Sequence, residues 1–481
     1  MDNKSVKKII KFLALIGLII QAGFIIPLIV AFIYKNIVFI DYWIVSTLFF
    51  MIIYLLLKKT SLELTIKEAV LSVNLVWILG GILGAIGLML LTHVTFVDGF
   101  FESVSGFTTT GSTIYTHISI LPKTALMLRS TMHWLGGMGI VVLGIGVIST
   151  INPSTSIALF KSESSGIGVT KITPKLKHTA MQLWKIYALI TILDIVLLKI
   201  EGMSFFDAIN HAFATVSTGG FSTKDQSMGY WDHNPLILWT TTIFMAIAAI
   251  NFIGHIKALK GDFSIYKGEE TKWFLTMLII LGTALGFVHY FGSHDSFFYS
   301  FTQSFFNVTS LITATGFTTV NYSKWGHLAI SILFIAMLVG GCAGSTAGGV
   351  KIIRYVIMFK NLKYQIKKIL FPNAVFSIKV DNLPIKADVL SHVGAFIFLY
   401  IITNAIVSFY LFASGYDALT SISASVTCIG GIGPGFGAVG PVDNFAFFTS
   451  MQKIVLAIEM IIGRLEFFTV FIIFNKNFWK P

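Results

Sequence analysis

Charge is scarce in this chain. Only 12% of its 481 residues are Asp, Glu, Lys or Arg, against about 25% in soluble domains. A polar shell around a water-soluble core is therefore excluded. Cysteine is scarcer still: Cys342 and Cys428 are the two present, both in or beside apolar segments. They imply no disulfide framework and no metal-ligand spacing. No Gly-x-Gly-x-x-Gly follows a strand and no phosphate loop exists, so nucleotide control would have to come from a separate partner. No helix carries a basic residue at every third position, which excludes a voltage sensor. There is no His-Glu-x-x-His and no pair of aspartates deep in an apolar run, which excludes the usual intramembrane enzymes. The alternating, turn-punctuated pattern of a β-barrel is missing too.

Apolar residues are what the chain has, at 55%. Its hydrophobic runs are long enough to cross a bilayer, which takes about 20 residues of helix. The net charge of +12 does not point to nucleic acid, because no basic stripe interleaved with aromatics is present. The basic residues sit at alternate ends of the apolar runs, as the positive-inside rule requires. The start, Lys4 to Lys11 and then an apolar run, resembles a signal peptide, but the run is too long and lacks a small-residue cleavage site. It reads as a membrane helix, about Ile9 to Ala31, paired with a second from about Tyr42 to Leu57.

Four short runs then repeat between long apolar segments. They are Phe107-Thr108-Thr109-Thr110-Gly111-Ser112, Val216-Ser217-Thr218-Gly219-Gly220, Thr313-Ala314-Thr315-Gly316-Phe317 and Ile429-Gly430-Gly431-Ile432-Gly433. Each follows a segment too short to span. A single Thr-Thr-Gly between apolar segments is ordinarily an outer turn; four at similar spacing are not. Gly111 and Gly433 align by a shared ruler, each seven residues after the valine of Ser103-Val104-Ser105 and Ser425-Val426-Thr427.

The expected fold is an all-α polytopic membrane protein. Four pseudo-symmetric helix–pore loop–helix repeats surround one pore, behind an N-terminal helix pair at 1–60. Repeat one covers 61–152 with its loop at 98–114, and a cytoplasmic or interfacial linker covers 153–175. Repeat two covers 176–262 (loop 205–222). Repeat three covers 263–370 (loop 297–319, with a gating loop at 340–350). Repeat four covers 371–481 (loop 417–436). Ten spans are expected, both termini inside and all four loops outside. The outer segments hold Lys123, Lys224 and Lys324 against nine acids, among them Asp98, Glu102, Asp207, Asp225, Asp232 and Asp443. They suggest an acidic vestibule that would concentrate cations.

Irregular backbone survives at membrane depth only where it is buried in protein or lines a water-filled path. Thr/Ser-Gly strands meet that condition if their oxygens face an ion. A dehydrated K⁺ needs a cage of oxygens, and backbone carbonyls with threonine hydroxyls supply one. Glycine permits the backbone conformations that turn carbonyls inwards. The C-terminal ends of four short helices would add partial negative charge.

Two further features need explaining. The small-residue stretch Gly340 to Gly349 interrupts an apolar helix, where each glycine costs up to ~1 kcal/mol against alanine. A helix-packing site is one reading, but ten small residues exceed what a packing contact needs. Arg464 lies midway along the last apolar run, Phe445 to Phe474. A charge at that depth costs at least ~2.5–3.5 kcal/mol and ordinarily faces an interior or a pore. Glu466 is on the wrong side of a continuous helix to pair with it, and Glu459 is poorly spaced. His133, His211 and His255 read as makers of interhelical hydrogen bonds.

Taken with His133-Trp134-Leu135-Gly136-Gly137-Met138-Gly139, with Leu159-Phe160-Lys161-Ser162-Glu163 before Leu183-Trp184-Lys185-Ile186-Tyr187, and with Gly340 to Lys351, these loops resemble the Trk/Ktr/HKT superfamily of potassium transporters. The resemblance is to the membrane subunit of bacterial Trk systems and covers nearly the whole chain. It implies a filter of Thr109, Thr110 and Gly111; Ser217, Thr218 and Gly219; Ala314, Thr315 and Gly316; and Gly431, Ile432 and Gly433. Gly431 stands where many relatives carry asparagine. Four filter glycines imply K⁺ over Na⁺. The resemblance also implies a gate of Gly340, Gly341, Gly344, Ser345, Thr346, Gly348, Gly349 and Lys351, with Arg464 repelling waiting cations. It implies K⁺ as the transported ion with no organic cofactor. It implies residence in the bacterial cytoplasmic membrane among lipids, a homodimer, and a cytosolic ring that binds NAD(H) or ATP/ADP. The inner basic segments are the candidate docking surface, though they serve equally as topology signals. A proton- or sodium-coupled symporter would share every one of these features.

Overall fold

The structure, a computed structural model, describes residues 2–139, 176–373 and 377–480. The inner end of the helix expected to Ile148, the linker at 153–175 with its amphipathic turn Ile157 to Phe160, and the Leu159 to Glu163 motif lie outside the described residues.

The protein is helical, and the same sequence of elements occurs four times. A long apolar helix leads into a short one, a loop follows, and a second helix closes the unit. The pairs are Ile66–Thr92 with Phe96–Phe107, Leu176–Ile200 with Phe205–Val216, Glu269–Gly292 with Phe297–Ile312, and Ala387–Ala413 with Ala418–Gly430. Each long helix packs on the short helix that follows it. The closing helices are Lys123–Gly137, Pro235–Ala248, His327–Val339 and Ser450–Arg464.

Each short helix starts at a side-chain cap. Thr95, Ser204, Ser296 and Asp417 accept from the backbone N–H of Asp98, Asp207, Tyr299 and Thr420. A cap of this kind satisfies an orphan donor and contributes about 1 kcal/mol.

In front of the units sits the N-terminal pair. Asn3–Gly23 and Ile25–Ile33 form one bent span, turned by 42° where Pro27 removes a backbone donor. Ile37–Leu56 is apolar all round, and only 17% of its apolar window is buried. Side chains such as Leu56 and Ile33 stay exposed, as a surface bathed in lipid requires.

Among the described residues four helices are long and apolar enough to cross a membrane, or six if bent pairs count as one span. Outside that count lie Leu176–Ile200 and three closing helices of under 18 described residues, Lys123–Gly137, His327–Val339 and Ser450–Arg464. Pro235–Ala248 turns by 99° into Phe252–Ala258. The last apolar run does not continue to Phe474. Its helix ends at Arg464, and Glu466 and Phe467 take left-handed conformations at φ 55° and 63°. A two-stranded hairpin, Lys379–Val380 with Leu383–Pro384, was not foreseen; its Asp381-Asn382 turn has both φ values positive, the hairpin-closing geometry such residues favour.

Candidate functional site

The four short helices end in the same backbone figure. The residue after the right-handed end is left-handed: Thr109 (φ 57°), Thr218 (53°), Ala314 (55°) and Gly431 (65°). Two residues on comes a glycine of positive φ: Gly111 (85°), Gly220 (79°), Gly316 (82°) and Gly433 (102°). A left-handed non-glycine residue costs roughly 1–2 kcal/mol, and three of the four loops carry one. Strain repeated at equivalent positions marks a functional segment.

These glycines bring the loops together. A Cβ on Gly111 would lie 2.2 Å from the Gly219 carbonyl oxygen, and one on Gly220 2.0 Å from that of Thr315. On Gly316 it would lie 1.9 Å from the Ile432 oxygen, and on Gly433 2.9 Å from that of Thr110. Loop one meets two, two meets three, three meets four and four meets one. The ring closes around a shared axis.

The ring corrects the expected register of the second loop. Its glycine is Gly220, so the triplet equivalent to Thr109-Thr110-Gly111 is Thr218-Gly219-Gly220, not Ser217-Thr218-Gly219. Ser217 occupies the right-handed helix end instead. In the other three loops the expected triplets take the shared backbone figure. A signal was available: Thr95 to Gly111, Ser204 to Gly220 and Asp417 to Gly433 are equal separations from helix cap to glycine, and the third short helix is longer by about one turn.

Loop N–H groups are bonded away from the axis. Thr109 N donates to Gly106 O and Thr110 N to Ser105 O; Thr218 and Gly219, Ala314 and Thr315, and Gly431 and Ile432 repeat the pattern. Their carbonyls are treated otherwise. Among the described residues no main-chain N–H reaches the carbonyl of Thr109, Thr110, Thr218, Gly219, Ala314, Thr315, Gly431 or Ile432. Most of these residues are buried. Buried carbonyls are normally paired, and unpaired ones call for water or an ion. Opposite loops are alike: Thr108 and Thr110 share a hydroxyl contact of 2.8 Å, and Thr313 and Thr315 one of 2.7 Å, whereas Gly219 and Ile432 supply no hydroxyl at that position. An outer cavity, half open to solvent, touches Gly111, Gly220, Gly316 and Gly433 together.

The glycine-rich segment lies beneath the ring. Gly340, Gly344, Gly349 and Lys351 have positive φ, so it cannot continue the helix. Gly349 N donates to Gly430 O at the end of the fourth short helix. Thr346 Oγ1 donates to Val216 O (3.0 Å), at the end of the second, and to Ala248 O (3.1 Å). Arg464 joins the levels. Its Nη1 reaches Thr109 Oγ1 and Thr346 O, both at 3.3 Å, and its Nη2 donates to Gly136 O (2.6 Å) and Gly137 O (3.1 Å). The expected position is corrected here: Arg464 ends its helix rather than sitting midway, because the chain breaks at Glu466. A cation is favoured at a helix C-terminus. Glu466 pairs with Arg354, and Glu459 accepts from Ser425 Oγ at 2.5 Å.

Residues 35–480 match the family model described as TrkH, cation transport protein. The chain belongs to the TrkH family. It is 35% identical over 429 residues to the Trk system potassium uptake protein TrkH of Salmonella typhimurium strain LT2, covering 88% of each chain. It is 34% identical over 465 residues to the Trk system potassium uptake protein TrkG of Escherichia coli strain K12, covering 94% of each. Its structure superposes on the crystal structure of the potassium transporter TrkH from Vibrio parahaemolyticus with a TM-score of 0.88. That match is 31% identical and covers 99% of this chain and 100% of that one. These relatives are transporters, not enzymes.

In this TrkH-family chain the expected acidic vestibule is not what the outer face offers. Asp98 pairs with Lys453 at 2.6 Å and Asp207 with Lys224 at 3.2 Å. Glu102 is buried against Arg129, and Asp232 accepts from Tyr299 and Gln303. The charged lining of the outer cavity is Arg129, Lys224, Asp225 and Asp443, formally balanced. Counting acids along the sequence misses this because their partners are distant in the chain. The histidines do bond between segments: His133 Nδ1 donates to Gly106 O and its Nε2 accepts from Phe221 N.

Proposed function

We propose that this protein takes up potassium across the cytoplasmic membrane as the pore subunit of a Trk system. In this reading the filter is the ring of Thr109-Thr110-Gly111, Thr218-Gly219-Gly220, Ala314-Thr315-Gly316 and Gly431-Ile432-Gly433. One observation carries it: buried loop carbonyls that no main-chain donor among the described residues uses, on strands that abut in a closed ring. Such oxygens replace the water a K⁺ loses on entry. The C-terminal ends of the short helices favour a cation just inside.

Conduction is channel-like, with the segment 340–350 and Lys351 as the gate and Arg464 as its latch. Arg464 supports this role by bonding filter loop, gate segment and first closing helix at once. Opening would exchange those bonds under the pull of a cytosolic nucleotide-binding ring docked on a homodimer. Both termini lie in the cytoplasm, consistent with the basic residues at the inner ends.

The test is rescue of a potassium-uptake-deficient bacterium at low external K⁺, with and without a cytosolic Trk component. Growth is expected with the wild-type chain and lost with Gly316→Ala. No rescue by wild type at any external K⁺, despite normal membrane levels, would remove the assignment.

A further inference from the structure

Behind the ring, each short helix reaches across to the outgoing leg of its own loop. Glu102 accepts from Ile114 N at 2.8 Å and from Thr113 Oγ1 at 3.0 Å. In the second unit His211 Nε2 meets Ser222 Oγ at 2.9 Å. In the third Asn307 Nδ2 donates to Thr319 Oγ1 at 2.8 Å. In the fourth Ser423 Oγ donates to Phe436 O and accepts from Phe436 N, at 2.9 and 3.0 Å. Four different side chains clamp four equivalent strands.

The clamp of the first unit differs from the rest. Arg129 Nε lies 2.8 Å from Glu102 Oε1, with the two side chains 1% and 0% exposed. Arg129 also crosses to the next loop. Its Nη1 donates to Ser222 O at 3.2 Å, and its guanidinium lies 3.9 Å from the centre of the Phe221 ring. His133, one turn along the same helix, stacks on Phe221 at 4.0 Å. One charged pair thus fixes the outgoing legs of loops one and two against each other, directly beyond the Gly111–Gly219 contact.

We infer that Glu102 and Arg129 are positioning residues that set ion discrimination. The inference rests on the filter reading above. A cage that can contract will close around a smaller cation and lose its preference for K⁺; a cage whose strands are pinned cannot. The pinning groups must be buried and fully partnered, because a lone buried charge is costly. They must also cancel, since a single uncompensated charge beside the path would repel or trap the ion. The pair meets both conditions, and Arg129 lines the outer cavity, next to the ring glycines.

The experiment compares K⁺ and Na⁺ fluxes through purified protein in vesicles, for wild type, Glu102→Gln, Arg129→Lys and Thr113→Val. Glu102→Gln keeps the shape but removes the charge. Its K⁺/Na⁺ flux ratio should fall at least about fivefold, the equivalent of one lost hydrogen bond of ~1 kcal/mol. Thr113→Val should lower the ratio less. Arg129→Lys keeps the charge but loses the fork to Ser222, and should fall between. A purely structural role would lower both fluxes together and leave the ratio alone, which overturns the proposal. If Glu102→Gln does not accumulate, an unchanged ratio in Thr113→Val overturns it equally. Wild-type protein that carries no K⁺ would instead sink the filter reading itself.

Discussion

The ring of loops and the segment beneath it are both built on glycine, and they are held in different ways. In the ring, glycine allows contact. Main chain lies where a side chain would be at all four positions, within 1.9–2.9 Å, and each neighbour is itself backbone. No rotamer change relieves such a clash. In the segment beneath, glycine also allows bending, through the left-handed Gly340, Gly344 and Gly349, alongside close approach at Gly348, where a Cβ would lie 2.2 Å from the Gly430 oxygen. Main-chain bonds such as Gly349 N to Gly430 O and Cys342 N to Ala249 O hold that bend, together with side-chain bonds from Thr346 and Arg464 and one to Glu270, whose Oε1 accepts from Ala343 N at 2.6 Å. Bonds of that kind exchange readily for water. The ring is held by close main-chain contact and the segment beneath it by hydrogen bonds as well; on the reading proposed above, the first must keep its shape and the second must let go.

The sharpest way to break this contrast is to add one carbon to the ring. Gly220→Ala and Gly316→Ala combine a positive φ with a main-chain clash and should abolish K⁺ uptake, by more than about 100-fold, since overpacking of this kind costs at least 1–3 kcal/mol before conduction is considered. Rubidium or potassium uptake at matched membrane levels measures it. Gly219→Ala meets the His133 ring instead, and Gly219 has no positive φ. It should retain more transport than Gly220→Ala, and the reverse order would restore the register first expected for loop two.

Undoing the proposed gate should act in the other direction. Arg464→Ala removes hydrogen bonds to filter loop, gate segment and helix end together. Charge-assisted bonds are each worth about 1.5–3 kcal/mol, so basal K⁺ leak without a cytosolic component should rise at least about tenfold. Thr346→Val loses the neutral bonds to Val216 O and Ala248 O and should raise leak several-fold less. Flux that stays at wild-type level in both variants would place the barrier elsewhere.

Particular residues show how far sequence carries this reading. The valine ruler gives Gly111 and Gly433 the same place because the short helices before them have the same frame, and both take positive φ. Loop two offers two adjacent glycines, and the local echo of Thr-Gly favours Gly219; only the distance from Ser204 selects Gly220. Arg464 is legible in the sequence as a charge inside an apolar run. Its place at a helix end is not, because hydropathy continues unbroken through Phe467 and carries no record of a left-handed turn. The vestibule misled for a related reason: Asp98 finds Lys453 across most of the chain, and no local pattern announces such a pair.

The smallest effect is the control for the largest. Gly202 has φ 113°, further from ordinary side-chain territory than Gly220 or Gly316, yet a Cβ there would meet nothing within 4 Å. It closes the helix Leu176–Ile200, where Gly202 N bonds to Lys199 O and Met203 N to Leu198 O, the usual setting for a glycine beyond a helix end. Gly202→Ala therefore carries backbone strain alone, roughly 1–2 kcal/mol. Membrane levels or melting temperature should drop slightly, while K⁺ flux per molecule stays at the wild-type value. If flux per molecule fell as it does for Gly316→Ala, positive φ alone would account for both, and close approach between neighbouring loops would lose its place as what the ring glycines provide.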